Sequence, residues 1–292
     1  MGSLALHELN DAMTNPLTAA PPTLSVVVVS YNVRSRLQRC LRSIGCGAHE
    51  ILVVDNASVD GSAEMVQANF PRVRLLRSAR NLGFGQAINR AVLEARASTL
   101  CFLNPDTQLI STANLEHMRA SVDELQAALV GFRLVDSEGS WQLSVGPEAS
   151  LAADWLRGML QRRLDAGDAR LAHRLDRALG TRPRVVPWVS GAAMVVRRSA
   201  FERVGGFDPR FFLYFEDIDL CLRLRRYVGP VYYDPRITVR HEGGASAATS
   251  PGPAAKAYRE SQLLFWAKHQ GRWASRSVGW YLRGRRLHPT RL

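Results

Sequence analysis

The chain lacks most of the features that would tie it to a special environment. Its four cysteines, Cys40, Cys46, Cys101 and Cys221, include no CxxC and no paired metal-ligand spacing. They exclude a disulfide scaffold or zinc module and read as scattered thiols of a reducing compartment. Apolar runs such as Val26–Val29 are far too short to cross a bilayer. The first 23 residues show no positively charged segment followed by an apolar core, so no secretory leader is expected there. They hold His7, Glu8 and Asp11 and then Thr, Pro and Ala, a composition expected of a disordered tail on a soluble or peripheral protein. There is no internal repeat. What is present is a 292-residue chain, 46% hydrophobic and 22% charged, which excludes a wholly disordered protein and allows a substantial core.

Charge is unevenly spread. The net charge is +12, and residues 256–292 hold nine Lys or Arg against one Glu, a net +8. A nucleic-acid surface should carry its basic residues as a stripe along the fold, so this asymmetry excludes nucleic acid as the expected partner and marks a specialised basic tail. Trp266, Trp273 and Trp280 recur every seven residues among Arg272, Arg276, Arg283, Arg285 and Arg286. Such a segment suits the interface of an anionic membrane. Gly271, Gly279 and Gly284 weaken a helix there, and the tryptophans would equally suit docking on the rest of the chain. Both readings stay open.

The first half alternates strand and helix signals. Leu24–Ser30 is the β-branched run of a buried parallel strand, and Ser35–Ile44 places Leu37, Leu41 and Ile44 at helical spacing. Strands are expected at Glu50–Val54, Val73–Leu76 and Thr99–Leu103. Asp60-Gly61-Ser62 opens a second helix and Phe84–Arg96 forms a third. Connections this short imply right-handed βαβ units in a doubly wound sheet, whose ligands bind beyond the carboxyl ends of the strands. Ser30-Tyr31-Asn32, Asp55-Asn56, Asn81 and Asp106 cluster at those ends. Further on, a hairpin is expected around Asp136–Gly139, an Arg-rich helical stretch over Ala152–Leu179, a strand at Ala192–Val196 and a helix from Ser199.

Chemistry concentrates in the segment 211–226, FFLYFEDIDLCLRLRR. Glu216, Asp217 and Asp219 fall within four residues among aromatics. Carboxylates so placed repel one another and resist desolvation, which tunes a general base. Asp219 also suits a helix N-terminus paired with Arg223 or Arg225. Asp106 follows a strand and the turn residue Pro105; it fits a hard divalent cation bridging two phosphates, or simply a turn. His241, after the late strand residues Ile237–Val239, reads as a second metal ligand, a phosphate contact or a structural histidine.

Five ordered blocks resemble the family 2 inverting glycosyltransferases: SVVVVSYN (25–32), EILVVDNASVDGS (50–62), NLGFGQAIN (81–89), FLNPDT (102–107) and the long block 188–225. VRHEGGAS (239–246) follows. The resemblance covers residues 24–250, and its last long block is similar to the rhamnosyltransferase branch of bacterial surface-polysaccharide enzymes. It implies an α/β chain of GT-A type: a doubly wound, mostly parallel central sheet with flanking helices and a C-terminal helical tail. The implied divisions are a tail to residue 23, a nucleotide-binding half over 24–129, an acceptor half over 130–250 and a basic segment over 251–292.

The resemblance also implies roles. Ser30 and Asn32 would line the nucleotide pocket, Asp55 would hydrogen-bond base or ribose, and Asn81 and Gly83 would lie against the nucleotide. Asp106, with Asn104 at the first position of the family's DXD motif, would hold the Mg2+ or Mn2+ that binds the diphosphate. His241 would complete that site. Asp217 would be the catalytic base and Glu216 would orient acceptor hydroxyls, with Trp188 and Gly191 bordering the acceptor. Asn104 offers a carbonyl oxygen without charge, a departure that bears on metal affinity. The implied partners are a nucleotide-sugar donor, dTDP-L-rhamnose by branch, and a polysaccharide or lipid-linked glycan acceptor, at the inner face of the cytoplasmic membrane. UDP- or GDP-hexose donors and a non-catalytic sugar-binding protein are the alternatives. A nucleotidyltransferase would carry a Gly-rich basic loop where Ser30-Tyr31-Asn32-Val33 stands.

Overall fold

The computed structural model describes residues 22–45, 47, 49–111, 113–148, 150–243 and 251–269. The expected N-terminal tail, Cys46, Gly244, Trp273, Trp280 and the last arginines lie outside them.

Four strands, β1 (Leu24–Ser30), β2 (His49–Asp55), β3 (Val73–Arg77) and β4 (Thr99–Leu103), pair in parallel in the order β3-β2-β1-β4. The chain winds outward through α1 (Arg34–Ile44) and α2 (Ser62–Asn69), then returns through α3 (Phe84–Glu94) to the other side of β1. The winding therefore reverses between β1 and β4, which opens a crevice at their carboxyl ends. Every residue of β1 and β4 is buried, because helices cover both faces. Side chains alternate between two cores: Val27, Val29, Leu100 and Phe102 on one face, Val26, Val28, Cys101 and Leu103 on the other.

Beyond β4 the sheet becomes mixed. The hydrogen-bonded order continues β4-β11-β6-β12-β5, with β5 (Thr107–Leu109), β6 (Leu129–Val135), β11 (Ala193–Arg197) and β12 (Val231–His241). β11 runs antiparallel to both neighbours, while β12 runs parallel to β6 and antiparallel to β5. α4 (Ala113–Glu124) leads into β6. The expected hairpin forms between β6 and β7 (Trp141–Gln142), where the Asp136 carboxylate accepts from the Glu138 and Ser140 amides. Two-residue strands β8 (Val145–Gly146) and β10 (Trp188–Val189) pair separately, and β9 (Arg184–Val185) pairs β12.

Two segments differ from the sequence reading. The stretch expected to be helical over 152–179 is two helices, α5 (Leu151–Asp165) and α6 (Ala169–Leu179). Gly167 at φ +77° breaks it, and Asp168 restarts it by accepting from the Leu171 amide. The late strand is eleven residues long, with its register shifted between Asp234 and Thr238. At the end of the chain, docking, one of the two open readings, holds for Trp266. After α7 (Arg198–Arg203) and α8 (Glu216–Tyr227) comes α9 (Pro251–His269), whose Phe265 and Trp266 sit in the main core, 0% and 3% exposed. Residues 251–269 are therefore packed into the fold rather than appended to it. Trp266 faces that core and not a membrane, because burying an indole beside Phe265 removes its apolar area from water.

Candidate active site

A cavity of about 620 Å3 opens at the carboxyl ends of β1 and β4. Its walls draw on Tyr31 after β1, Asn81 and Gly83 before α3 and Phe84 at its start, Asn104–Asp106 after β4, Trp188, Ser190–Ala192, the segment 212–218, His241, and Ala254 and Tyr258 of α9.

On the β1–β4 side, Asn56 organises the loop. Its Nδ2 donates to the Asn81 carbonyl oxygen and to the Gly83 backbone oxygen, both at 2.9 Å, and its Oδ1 accepts from the Leu82 amide at 3.0 Å. Sequence reasoning noted Asn56 at a strand end without giving it a role; an amide that both donates and accepts is the signal that such a loop needs pinning. Asn81 and Gly83 line the cavity as expected. Ser30, Asn32 and Asp55 do not. Asn32, at φ +53°, spends its side-chain oxygen on the Val59 amide. Ser30 and Asp55 are buried just behind the wall, where the Ser30 hydroxyl and Asp55 Oδ1 have no hydrogen-bond partner. Orphaned buried groups of this kind cost free energy unless a ligand satisfies them.

At the end of β4, Thr107 donates from both its amide and its hydroxyl to the Asn104 carbonyl, which fixes the turn. β12 then delivers His241 opposite Thr107, bringing His241 Nε2 to 3.4 Å from Asp106 Oδ1. Asp106 is 4% exposed. Burial pushes its pKa up, but the His241 hydrogen bond and charge, its own backbone amide and Arg36 outweigh that and leave it lowered. Gln142 donates its Nε2–H to the His241 carbonyl and so turns its Oε1 toward His241 Nδ1, each at 2.8 Å. That arrangement makes Nδ1 the protonated nitrogen and leaves Nε2 facing a carboxylate. Two electron-rich atoms are reconciled there by a proton or a cation. Among the described residues no three His, Cys, Asp or Glu side chains converge as a metal cluster. Asp106 and His241 are the pair that would hold a divalent cation here.

The acidic pair starts α8. Tyr214 and Phe215 precede it at φ +69° and +65°, a left-handed pair costing on the order of 1–2 kcal/mol per residue. This turn aims Glu216 and Asp217 into the cavity. Asp217 Oδ2 accepts from the Gly191 amide and Oδ1 from the Ile218 amide, both at 2.8 Å. Two N–H donors orient this carboxylate. Glu216 is its opposite: it is 5% exposed and its Oε2 has no partner. Burial, and next the Asp217 charge, push its pKa well above the usual carboxylate range. Adjacent acids with environments this different can divide acid and base duties. Trp188 lines the cavity with its Nε1–H donated to the Pro147 carbonyl, and Gly191 contributes the amide that holds Asp217. Asp219, fully buried, pairs with Arg223 at 2.8 Å, the structural role its position implied.

A doubly wound α/β chain with a cavity at its switch point, a buried Asp–His pair on one wall and two acids on another, has the layout of a nucleotide-sugar transferase. Comparison with known proteins agrees. The profile of glycosyl transferase family 2 matches residues 25–205, and that of glycosyl transferase family group 2 matches residues 141–274. An N-acetylglucosaminyl-diphospho-decaprenol L-rhamnosyltransferase of Mycobacterium tuberculosis is 31% identical over 275 residues, 89% of each chain. Rhamnosyltransferase WbbL of Escherichia coli is 49% identical over 57 residues, 20% of this chain and 22% of that protein. In fold, GalNAc-T7, solved with UDP, GalNAc and Mn2+, superposes with a TM-score of 0.56 at 15% identity, over 93% of this chain and 59% of that one. The chain belongs to glycosyl transferase family 2 and is a glycosyltransferase with the GT-A fold. Its similarity over most of its length is to the rhamnosyltransferase branch. No helix among the described residues is long and apolar enough to cross a membrane.

Proposed function

We propose that the protein transfers L-rhamnose, with inversion, from dTDP-L-rhamnose to a hydroxyl of a lipid-linked glycan during cell-surface glycan synthesis. The observation that carries the reading is the division of labour between the adjacent acids in the cavity. Asp217, held by two amides, removes the proton from the acceptor hydroxyl. Glu216, whose proton is retained by burial, donates a hydrogen bond that orients the acceptor. A hydroxyl activated on the face of the sugar opposite the leaving diphosphate gives single displacement, by the logic of inverting glycosidases. Ser30 and Asp55, with buried polar atoms that lack partners, recognise the nucleotide from behind the wall, while Asn32 holds the β1 end in place. Asp106 and His241 would hold Mg2+ or Mn2+, with Asn104 shaping the turn; such a cation would supply positive charge against the leaving diphosphate. Trp188 and Gly191 border the acceptor. The donor identity follows the relative in Mycobacterium tuberculosis, whose name gives a diphospho-decaprenol acceptor.

A peripheral position at the cytoplasmic face of the membrane, with the basic residues after 269 on anionic lipid, belongs to the same reading; flotation with anionic liposomes should weaken when residues 270–292 are deleted. The main test is a product-release screen of dTDP-L-rhamnose against UDP- and GDP-hexoses, with a prenyl-diphosphate-linked N-acetylglucosamine acceptor, with and without Mg2+ or Mn2+. Turnover of dTDP-L-rhamnose alone is the expected result. Preference for a UDP- or GDP-hexose would replace the donor, and no turnover with any would overturn the reading.

A further inference from the structure

The turn that carries the acids does not hold itself. Its flanking segment, 207–215, lies between two elements remote from it in sequence. On one side is the start of α3: the Phe84 amide donates to the Phe212 carbonyl at 3.1 Å, and Gln86 and Asn89 donate to the Pro209 and Phe207 carbonyls. Gly83, at φ +78°, packs so closely there that a Cβ would run into the Phe212 carbonyl oxygen. On the other side is α9. Ser261 Oγ donates to the Leu213 carbonyl at 2.8 Å, and the Tyr258 ring lies 5.5 Å from Tyr214 and 5.3 Å from Phe215, the two left-handed residues. Lys268 Nζ bridges Asp208 Oδ2 at 2.7 Å and Asp219 Oδ1 at 2.5 Å, tying the start of the segment to the first turn of α8. His269 Nε2 adds a contact to Asp219 at 2.8 Å.

We propose that α9 is a clasp for the catalytic turn, with Ser261, Lys268 and Asp219 as positioning residues that fix Tyr214–Phe215 and so aim Asp217. The hydrogen bonds of Ser261, Lys268 and His269 all land within residues 208–219. Asp219 lies two residues beyond Asp217 on the first turn of α8 and is 0% exposed, so its anchoring transmits to the acid pair with little slack. A helix serving only to cover the core would need its apolar residues, Phe265 and Trp266, and not an ammonium pinned between the start of that segment and the first turn of α8. The clasp deepens the reading of Asp217 as base and rests on it.

The test uses the full chain and the donor that turns over in the screen above, with dTDP as the binding probe. Lys268→Met should lower kcat about ten- to hundred-fold, the cost of a base displaced by about 1 Å. Donor KM and dTDP affinity should stay near wild type. Lys268→Arg, which can still bridge two carboxylates, should recover most of the rate. Hydrogen–deuterium exchange should quicken over 208–219 in Lys268→Met and stay unchanged in β1 and β4. An unchanged kcat, a matching loss of dTDP affinity, or a Lys268→Arg variant as slow as Lys268→Met would each overturn the clasp. Should Lys268→Met fail to fold, Ser261→Ala decides: a several-fold lower kcat at constant dTDP affinity supports the clasp, and wild-type kcat rejects it. Asp217→Asn, run beside them, keeps the two readings apart. Full activity there removes the base assignment, while the exchange data still judge the clasp.

Discussion

The two halves of the sheet hold their functional residues by different means. In the parallel half, β1 to β4, functional side chains end a strand or follow it by a few residues, and nearby loops are pinned locally, as Asn56 pins Asn81–Gly83. In the mixed half, Asp217 depends on Gly191 from another segment, on a strained turn and on a helix some forty residues further along. The parallel half comes nearly preassembled from local βαβ units. The mixed half has to be drawn together by ion pairs and backbone contacts over long sequence distances. Variants of the first should therefore weaken donor binding, and variants of the second should slow the chemical step.

The sharpest way to break this contrast is Asp217→Asn. It should lower kcat about a thousandfold, within the range of general-base removal, and leave dTDP binding intact by calorimetry. A large loss of dTDP affinity would mean that the halves are not separable. Next is Asn56→Ala, which removes three hydrogen bonds from the donor loop. It should raise donor KM about tenfold, near 1.4 kcal/mol, with kcat little changed in steady-state assays.

Glu216→Gln sharpens the contrast through stability. Its folded-state pKa is raised, so its stabilising proton is fully present below the unfolded value and lost as pH rises through the folded one. Gln keeps the neutral form at every pH. The variant should melt higher than wild type at pH 8 and about equally at pH 4, while transferring sugar more slowly. Asp208 and Asp219 work in the other sense. Arg210, then Lys268, holds Asp208 low; for Asp219 burial opposes the shift, and His269, Arg223 and Lys268 overcome it. Their stability is present above the unfolded carboxylate range and drains away on acidification, so the clasp should loosen in acid. The smallest effect belongs to Ser150→Ala, which deletes the cap that accepts from the Ala153 amide. It should cost about 1 kcal/mol in denaturant titration and leave kcat and KM alone, because among the described residues the cavity is lined by none from α5.

Much of the parallel half was legible in the sequence, because a β-branched run buried on both faces and a helix of period 3.6 leave marks in adjacent residues. β4 falls on Thr99–Leu103 as expected, and Leu37, Leu41 and Ile44 are buried as their spacing implied. The acids of 216–219 were legible as a group, since carboxylates among aromatics have few structural reasons. Their different electrostatic fates were not. Asp217 meets the Gly191 amide, Glu216 keeps an Oε2 without a partner, and Asp219 meets Lys268 and His269 only after distant segments have packed. Trp266 shows the same limit: a repeat of seven placed it on a helical face, but which partner that face meets is a property of the folded chain.

By itself the sequence determined the order of the βαβ units, the crevice at their carboxyl ends and the residue types available to it, because those depend on local periodicity and on the chirality of the chain. Only the tertiary structure decided that Asp106 and His241 meet across the β5–β12 pairing, that Ser30 and Asp55 sit behind the wall rather than on it, and that α9 closes on the catalytic turn. Those facts depend on register, burial and charge pairing between residues far apart in the chain, and such terms take their values only when the chain is closed upon itself.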